Sequence, residues 1–129
     1  MADILLVDTD ILIDAARAMP DAIAFLKVHE PSHTLAVSVI TEMELLVGCR
    51  NKTEQSRLDR SLECFKIIYL QETMSLQAAR LLRTYSLSHG LLIPDAFIAA
   101  TALVLDVPLA TKNRRDYHFI EKLELIRYP

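Results

Sequence analysis

The chain has 129 residues, 52% of them hydrophobic and 24% charged, which excludes a disordered polypeptide and leaves room for one domain with its own core. A net charge of −3 and a pI near 5.8 argue against a broadly basic nucleic-acid binder, so phosphate contacts would fall to local groups such as Arg50, Lys52, Arg57, Arg60, Lys112, Arg114 and Arg115. A mean hydropathy of +0.25 is high for a small monomer and predicts that a second copy or a partner covers some apolar surface.

Gly48 and Gly90 are the only glycines, so neither a Walker A loop nor a GxGxxG fingerprint is possible. Cys49 and Cys64 form no CxxC pair and read as packing residues in a reducing compartment. The opening Met1-Ala2-Asp3 carries no basic leader region, and the longest near-apolar stretch, 96–105, is about half a membrane span. The expectation is a soluble, cytoplasmic protein without membrane contact.

Ile4-Leu5-Leu6-Val7 is a short continuous apolar run closed by Asp8, the pattern of a buried parallel strand over 4–7. Asp8 leads into Thr9, Asp10 and an apolar helix over 10–17. An acid here also serves as a helix N-cap, but Thr9 or Asp10 can fill that role, which frees Asp8 for other chemistry. Pro20 opens a second helix over 20–29, and a strand follows over 34–37. His29 and His33 are four apart, but Pro31 between them breaks the helix that would align a zinc pair. His89 and His118 read as loop or surface residues.

The next helix, 39–50, carries a stripe of Val39, Ile40, Met43, Leu46 and Val47 expected to face the sheet. Glu42 and Glu44 flank it on opposite sides. Gly48 lies one turn from Glu44 and leaves space beside it, so Glu44 is the acid expected to reach inward. A helix over 53–63, a strand over 66–69 and a helix over 74–88 follow.

Pro94-Asp95 opens a helix over 94–105 in which Ala96-Phe97-Ile98-Ala99-Ala100-Thr101-Ala102 is rich in small residues. An acid in a first turn often answers the helix dipole. Neighbours this apolar imply a buried carboxylate, which needs a cation or donors. A strand over 108–110 then runs into the polar turn Lys112-Asn113-Arg114-Arg115-Asp116, with a helical turn near 114–118 and a last strand over 124–127. Thr111, Asn113 or Asp116 completes an acidic site with Asp8, Glu44 and Asp95. Strands alternating with helices predict one α/β domain over 1–129, with a parallel sheet and helices on both faces. Oxygen ligands of this kind suit Mg²⁺ or Mn²⁺.

Together these segments resemble PIN-domain ribonucleases and, in length and motif order, VapC-type toxins of toxin-antitoxin pairs. The matching pieces are Val7-Asp8-Thr9-Asp10, Glu44-Leu45-Leu46-Val47-Gly48, Pro94 through Ala102, and Ala110-Thr111-Lys112-Asn113. The resemblance implies a three-layer α/β/α sandwich around a central parallel sheet, Mg²⁺-dependent endonuclease activity on RNA, a homodimer and neutralisation by a small antitoxin. Asp8, Glu44 and Asp95 match the family's three invariant acids; their charges suggest that Asp8 and Asp95 hold the metal directly or through water and that Glu44 orients or deprotonates the attacking water, with Thr9 or Thr111 positioning water or phosphate. The family's fourth acid falls at Asn113, where this chain has an amide, while Asp116 follows three residues later.

Alternative readings come from other classes. Asp8-Thr9-Asp10 after a strand is similar to the opening of haloacid-dehalogenase-type phosphatases, with Asp8 as nucleophile and Asp10 as acid/base, but Leu12 replaces that family's threonine. A receiver domain needs an acceptor where strand 66–69 ends in Tyr69-Leu70-Gln71. A non-catalytic PIN-like scaffold that binds RNA is the remaining reading. The apolar side of helix 20–29 (Ile23, Phe25, Leu26, Val28) and the 53–63 region are candidates for burying an antitoxin segment.

Overall fold

The computed structural model describes residues 3–129; Met1 and Ala2, read above as lacking a basic leader, lie outside the described residues. Five strands, β1 (Asp3–Val7), β2 (His33–Ser38), β3 (Lys66–Ile68), β4 (Leu109–Thr111) and β5 (Leu125–Arg127), form one sheet. The helices are α1 (Thr9–Ala16), α2 (Pro20–His29), α3 (Val39–Val47), α4 (Lys52–Leu62), α5 (Glu72–His89) and α6 (Ile93–Leu105), with a 3₁₀ turn over Arg114–Asp116. All strand pairs are parallel, in the order β3-β2-β1-β4-β5.

Period-two alternation sorts the central strands between two cores. Leu6 of β1 pairs with Ala36 on one side and Leu109 on the other. All three pack with Met74, Ala78 and Leu81 of α5 and the alanines of α6. Leu5, Val7, Leu35, Val37 and Ala110 point the other way, onto Ile11, Phe25 and Leu62 of α1, α2 and α4. Leu5, Leu6 and Leu109 are 0% exposed, each such side chain contributing roughly 2 kcal/mol through burial. The result is the predicted three-layer α/β/α sandwich.

Local signals end the helices where backbone geometry requires it. Gly90 follows α5 with φ 70, a left-handed cap that a side chain would strain. The predicted helix 39–50 is shorter than expected, stopping at Val47. Asn51 starts α4 by accepting from Glu54 N at 2.9 Å, and Arg50 pairs with Glu54 at 2.9 Å.

The predicted stripe on α3 also differs. Val39 is buried, but Met43 and Val47 are 53% and 87% exposed, because α3 does not lie along one sheet face. It touches β2, β3, α1, α4 and α6, bridging both helical layers through small patches. Cys49 is half-buried but Cys64 is exposed, against the expectation that both are packing residues; Cys64 sits in the turn beyond Leu62, the buried anchor of α4. Among the described residues no helix is long and apolar enough to cross a membrane.

Candidate active site

From β1 the chain builds the sheet outward to β2 and β3 on one side, and later to β4 and β5 on the other. The carboxyl ends of β1 and β4 therefore flank the topological switch point, where open α/β sheets bind ligands. Asp8 follows β1 and Thr111 ends β4. Asp8 N donates to Ala110 O at 2.9 Å, and the Thr111 hydroxyl donates to Asp8 Oδ2 at 2.8 Å. Asp8 Oδ1 accepts from Thr9 N at 2.8 Å, so Asp8 itself caps α1. Neither Thr9 nor Asp10 takes that role, because Asp8 is the extended residue at the strand-to-helix turn.

At 6% exposure, Asp8 has its pKa pushed up to about 7, first by burial and then by the Asp10 charge, against its bonds from Thr111 and Thr9 N and with a further push from Asp95. A carboxylate held this way favours a proton or a cation.

Glu44 arrives from α3. Thr9 Oγ1 lies 2.8 Å from Glu44 Oε1 and 2.9 Å from the hydroxyl of buried Thr41. With a single proton to give, Thr9 donates to the carboxylate and accepts from Thr41. The remainder of Glu44 is open to solvent. Clearance at Gly48 is not what places it, since a Cβ there would meet only Leu45 O at 3.5 Å and Glu44 O at 3.7 Å, ordinary contacts. The hydroxyl of Thr9 distinguishes Glu44 from Glu42.

Asp95 stands in the first turn of α6, half-buried and not fully buried as expected because it lies at the open end of the helix, and Tyr117 donates to its Oδ1 at 3.1 Å. Burial raises its pKa most, the Tyr117 bond opposes this, and the charges of Asp116, Glu44 and Asp10 add to the rise. Asp8, Asp10, Glu44, Asp95 and Asp116 thus share one electrostatic neighbourhood. Among the described residues no three His, Cys, Asp or Glu side chains lie close enough together to hold a metal ion by themselves. The donor set is nonetheless all oxygen, and Asp10 Oδ1 is buried without a hydrogen-bond partner. These features fit a hard divalent ion that keeps several waters.

The polar turn divides its residues. Asp10 Oδ2 accepts from Lys112 N at 3.2 Å and Asn113 N at 3.1 Å, clasping the turn to α1 and leaving this oxygen poorly placed as the proton donor of the phosphatase reading. Asn113 N also donates to Thr111 Oγ1 at 3.2 Å. Asn113 and Asp116 are both exposed, and of the two it is Asp116 whose charge acts on Asp95.

Tyr117, Thr41 and the clasp by Asp10 escaped sequence reasoning. Tyr117 is 1% exposed within the α5/α6 core, so its pattern reads as an apolar ring. The available signal is its hydroxyl, which needs a partner wherever the ring is buried.

A PIN domain family model matches residues 5–122. Ribonuclease VapC10 of Mycobacterium tuberculosis is 34% identical over 121 residues, covering 93% of this chain and 90% of the relative. Among solved structures, VapBC2 from Rickettsia felis bound to a DNA fragment from its promoter aligns with TM-score 0.84 at 28% identity, covering 98% of this chain and 99% of that one. A toxin-antitoxin complex from Klebsiella pneumoniae aligns with TM-score 0.80 at 29% identity over 95% and 96% of the two chains.

Proposed function

The chain belongs to the PIN-domain family, among the VapC ribonucleases, and on that footing we propose that it is a divalent-metal-dependent endoribonuclease acting as the toxin of a toxin-antitoxin pair. The observation that carries the proposal is the Thr111 bond to Asp8 at 2.8 Å, which joins the carboxyl ends of β1 and β4 beside Asp95 and Glu44. The reading treats residues 1–129 as one PIN domain.

Asp8 and Asp95 are the proposed ligands for Mg²⁺, with Mn²⁺ as a substitute. When bound, the ion supplies Lewis-acid stabilisation of charge developing on the scissile phosphate and leaving oxygen. Glu44, aimed by Thr9 and open to solvent, orients or deprotonates the attacking water. Thr111 holds Asp8 in its ligating orientation. Lys112, Arg114 and Arg115 line a recess of about 480 Å³ with Asn113 and Asp116, cations suited to an RNA backbone. Either Asn113 or Asp116 completes the site, and Asp116 is favoured by its charge beside Asp95.

The antitoxin is proposed to occupy the groove of about 1150 Å³ bounded by α1, α2, α3 and α4. Ile23 and Leu26 line it, as do Leu58, Arg57 and Arg60. Phe25 is instead core, and Val28 is exposed outside the groove. A segment with apolar side chains flanked by acids would complement this lining. The exposed Met43, Val47, Leu92 and Ile93 suit burial in a homodimer, and the cell compartment proposed is the cytoplasm.

Incubating the purified protein with mixed RNA, with and without EDTA and beside an Asp8→Asn variant, tests the activity. Cleavage that needs a divalent ion and vanishes in the variant is expected. Binding of RNA without cleavage in any divalent ion would leave only the scaffold reading.

A further inference from the structure

The Tyr117 hydroxyl is an unusual neighbour for two carboxylates offered to a cation. Its ring belongs to the core formed by α5 and α6, at 1% exposure, and a phenylalanine would fill that space. The added oxygen instead reaches out of the core, donating to Asp95 Oδ1 at 3.1 Å, and it faces the Asp8 carboxylate as well.

The position of Tyr117 is itself determined. Asp10 Oδ2 clasps Lys112 N and Asn113 N, fixing the start of the turn to α1. The 3₁₀ turn then carries the chain forward, with Tyr117 N bonded to Arg114 O at 3.1 Å. The hydroxyl is therefore delivered from β4 to the crevice between β1 and α6, with its ring held by packing.

We propose that Tyr117 is a positioning residue for the cation site, its hydroxyl orienting the Asp95 carboxylate and setting its placement relative to Asp8 so that both can serve one divalent ion. This rests on the metal-dependent reading above. A group that orients a ligand from behind typically changes metal affinity by roughly 10–100-fold when removed. Removing this hydroxyl takes away the oriented donor and leaves Asp95 and Asp8 to repel one another without it.

Tyr117→Phe keeps the ring and should fold. Counting free Mn²⁺ by electron paramagnetic resonance should give a dissociation constant at least about tenfold weaker than in the parent protein. Tyr128→Phe, which removes a different buried tyrosine bond to an aspartate, should bind Mn²⁺ as the parent does. Parent-like or tighter binding by Tyr117→Phe would overturn the proposal, whereas failure of the parent to bind Mn²⁺ would overturn the metal-dependent reading beneath it. Should Tyr117→Phe misfold, the parent protein labelled at tyrosine Cζ keeps the question open to test. Mg²⁺ should move the Tyr117 signal with the midpoint of ion binding, and an unmoved signal sinks the proposal.

Discussion

Tyr117 donates to Asp95 at 3.1 Å and Tyr128 donates to Asp14 at 2.9 Å, yet the two aspartates shift in opposite directions. The Asp14 pKa is lowered, first by the Tyr128 bond, with Lys112 adding a hydrogen bond and a charge. Asp95 has its pKa raised, because burial and the charges of Asp116, Glu44 and Asp10 outweigh the same kind of donor. What differs is the company. Asp14 has a cation, with Lys112 Nζ at 3.2 Å, while the charges that act most on Asp95 are those of Asp116, Glu44 and Asp10, beside one tyrosine hydroxyl. A carboxylate satisfied by the chain is structural, and one left in excess is available to a ligand. Lys112 links the two regions, its backbone N on Asp10 and its side chain on Asp14.

The largest expected effect separates the pairs by activity. Asp95→Asn should reduce metal-dependent RNA cleavage by more than roughly a hundredfold, beyond what loss of a merely supporting group does, while its melting temperature holds or rises as repulsion is relieved. Asp14→Asn should leave cleavage within about threefold, a change of under 1 kcal/mol in barrier, but lower the melting temperature. Cleavage assays and thermal melts on both variants read this directly, and loss of activity in Asp14→Asn alone would reverse the assignment.

Asp8, beside Asp95 in the acidic site, and Asp14 should also respond oppositely to pH. Asp8 has its pKa raised from 3.8 to about 7, so in EDTA it costs the fold nothing below the unfolded value, progressively more as pH rises toward 7, and a constant amount above that. Asp14, with a lowered pKa, contributes stability above its unfolded value that is lost as pH falls through the folded one. Melts in EDTA from pH 3 to 8 should show Asp14→Asn weakening the dependence at the acid end and Asp8→Asn weakening it between about 4 and 7. Mn²⁺ affinity, which needs ionised Asp8, should rise with pH across the upper part of that range.

A smaller effect should follow from Thr111→Val, which removes the 2.8 Å donor to Asp8 while keeping a similar shape. Mn²⁺ affinity should fall by roughly tenfold, and Thr111→Ser should restore it. Parent-like Mn²⁺ affinity in Thr111→Val would show that the hydroxyl does not matter, and failure of the serine to restore a lost affinity would mean that the methyl group is needed as well as the hydroxyl. The smallest effect is Tyr128→Phe, expected to lower the melting temperature by a few degrees with cleavage unchanged.

Much of this was readable from the chain. The buried strand Ile4-Leu5-Leu6-Val7 ending at Asp8, and Asp95 heading a small-residue helix, announced themselves because burial and helix starts are local patterns. Glu44 was expected to reach inward and Glu42 to be solvated, but Glu44 is exposed and Glu42 half-buried; what marks Glu44 is the Thr9 hydroxyl across 35 positions of sequence and not the space at Gly48. Asp10 and Tyr117 were hidden for a related reason. One looked like a cap and the other like core, and only their partners on distant elements show otherwise.

The sequence by itself determined the elements, their parallel class and the two acids that terminate or begin them, since periodicity, caps and breakers act over a few residues. Only the tertiary structure decided the order β3-β2-β1-β4-β5, the 103-residue reach from Thr111 to Asp8, and which tyrosine meets a carboxylate paired with a cation and which meets one beside other acids. Those outcomes depend on strand pairing and through-space charge, which no local pattern records.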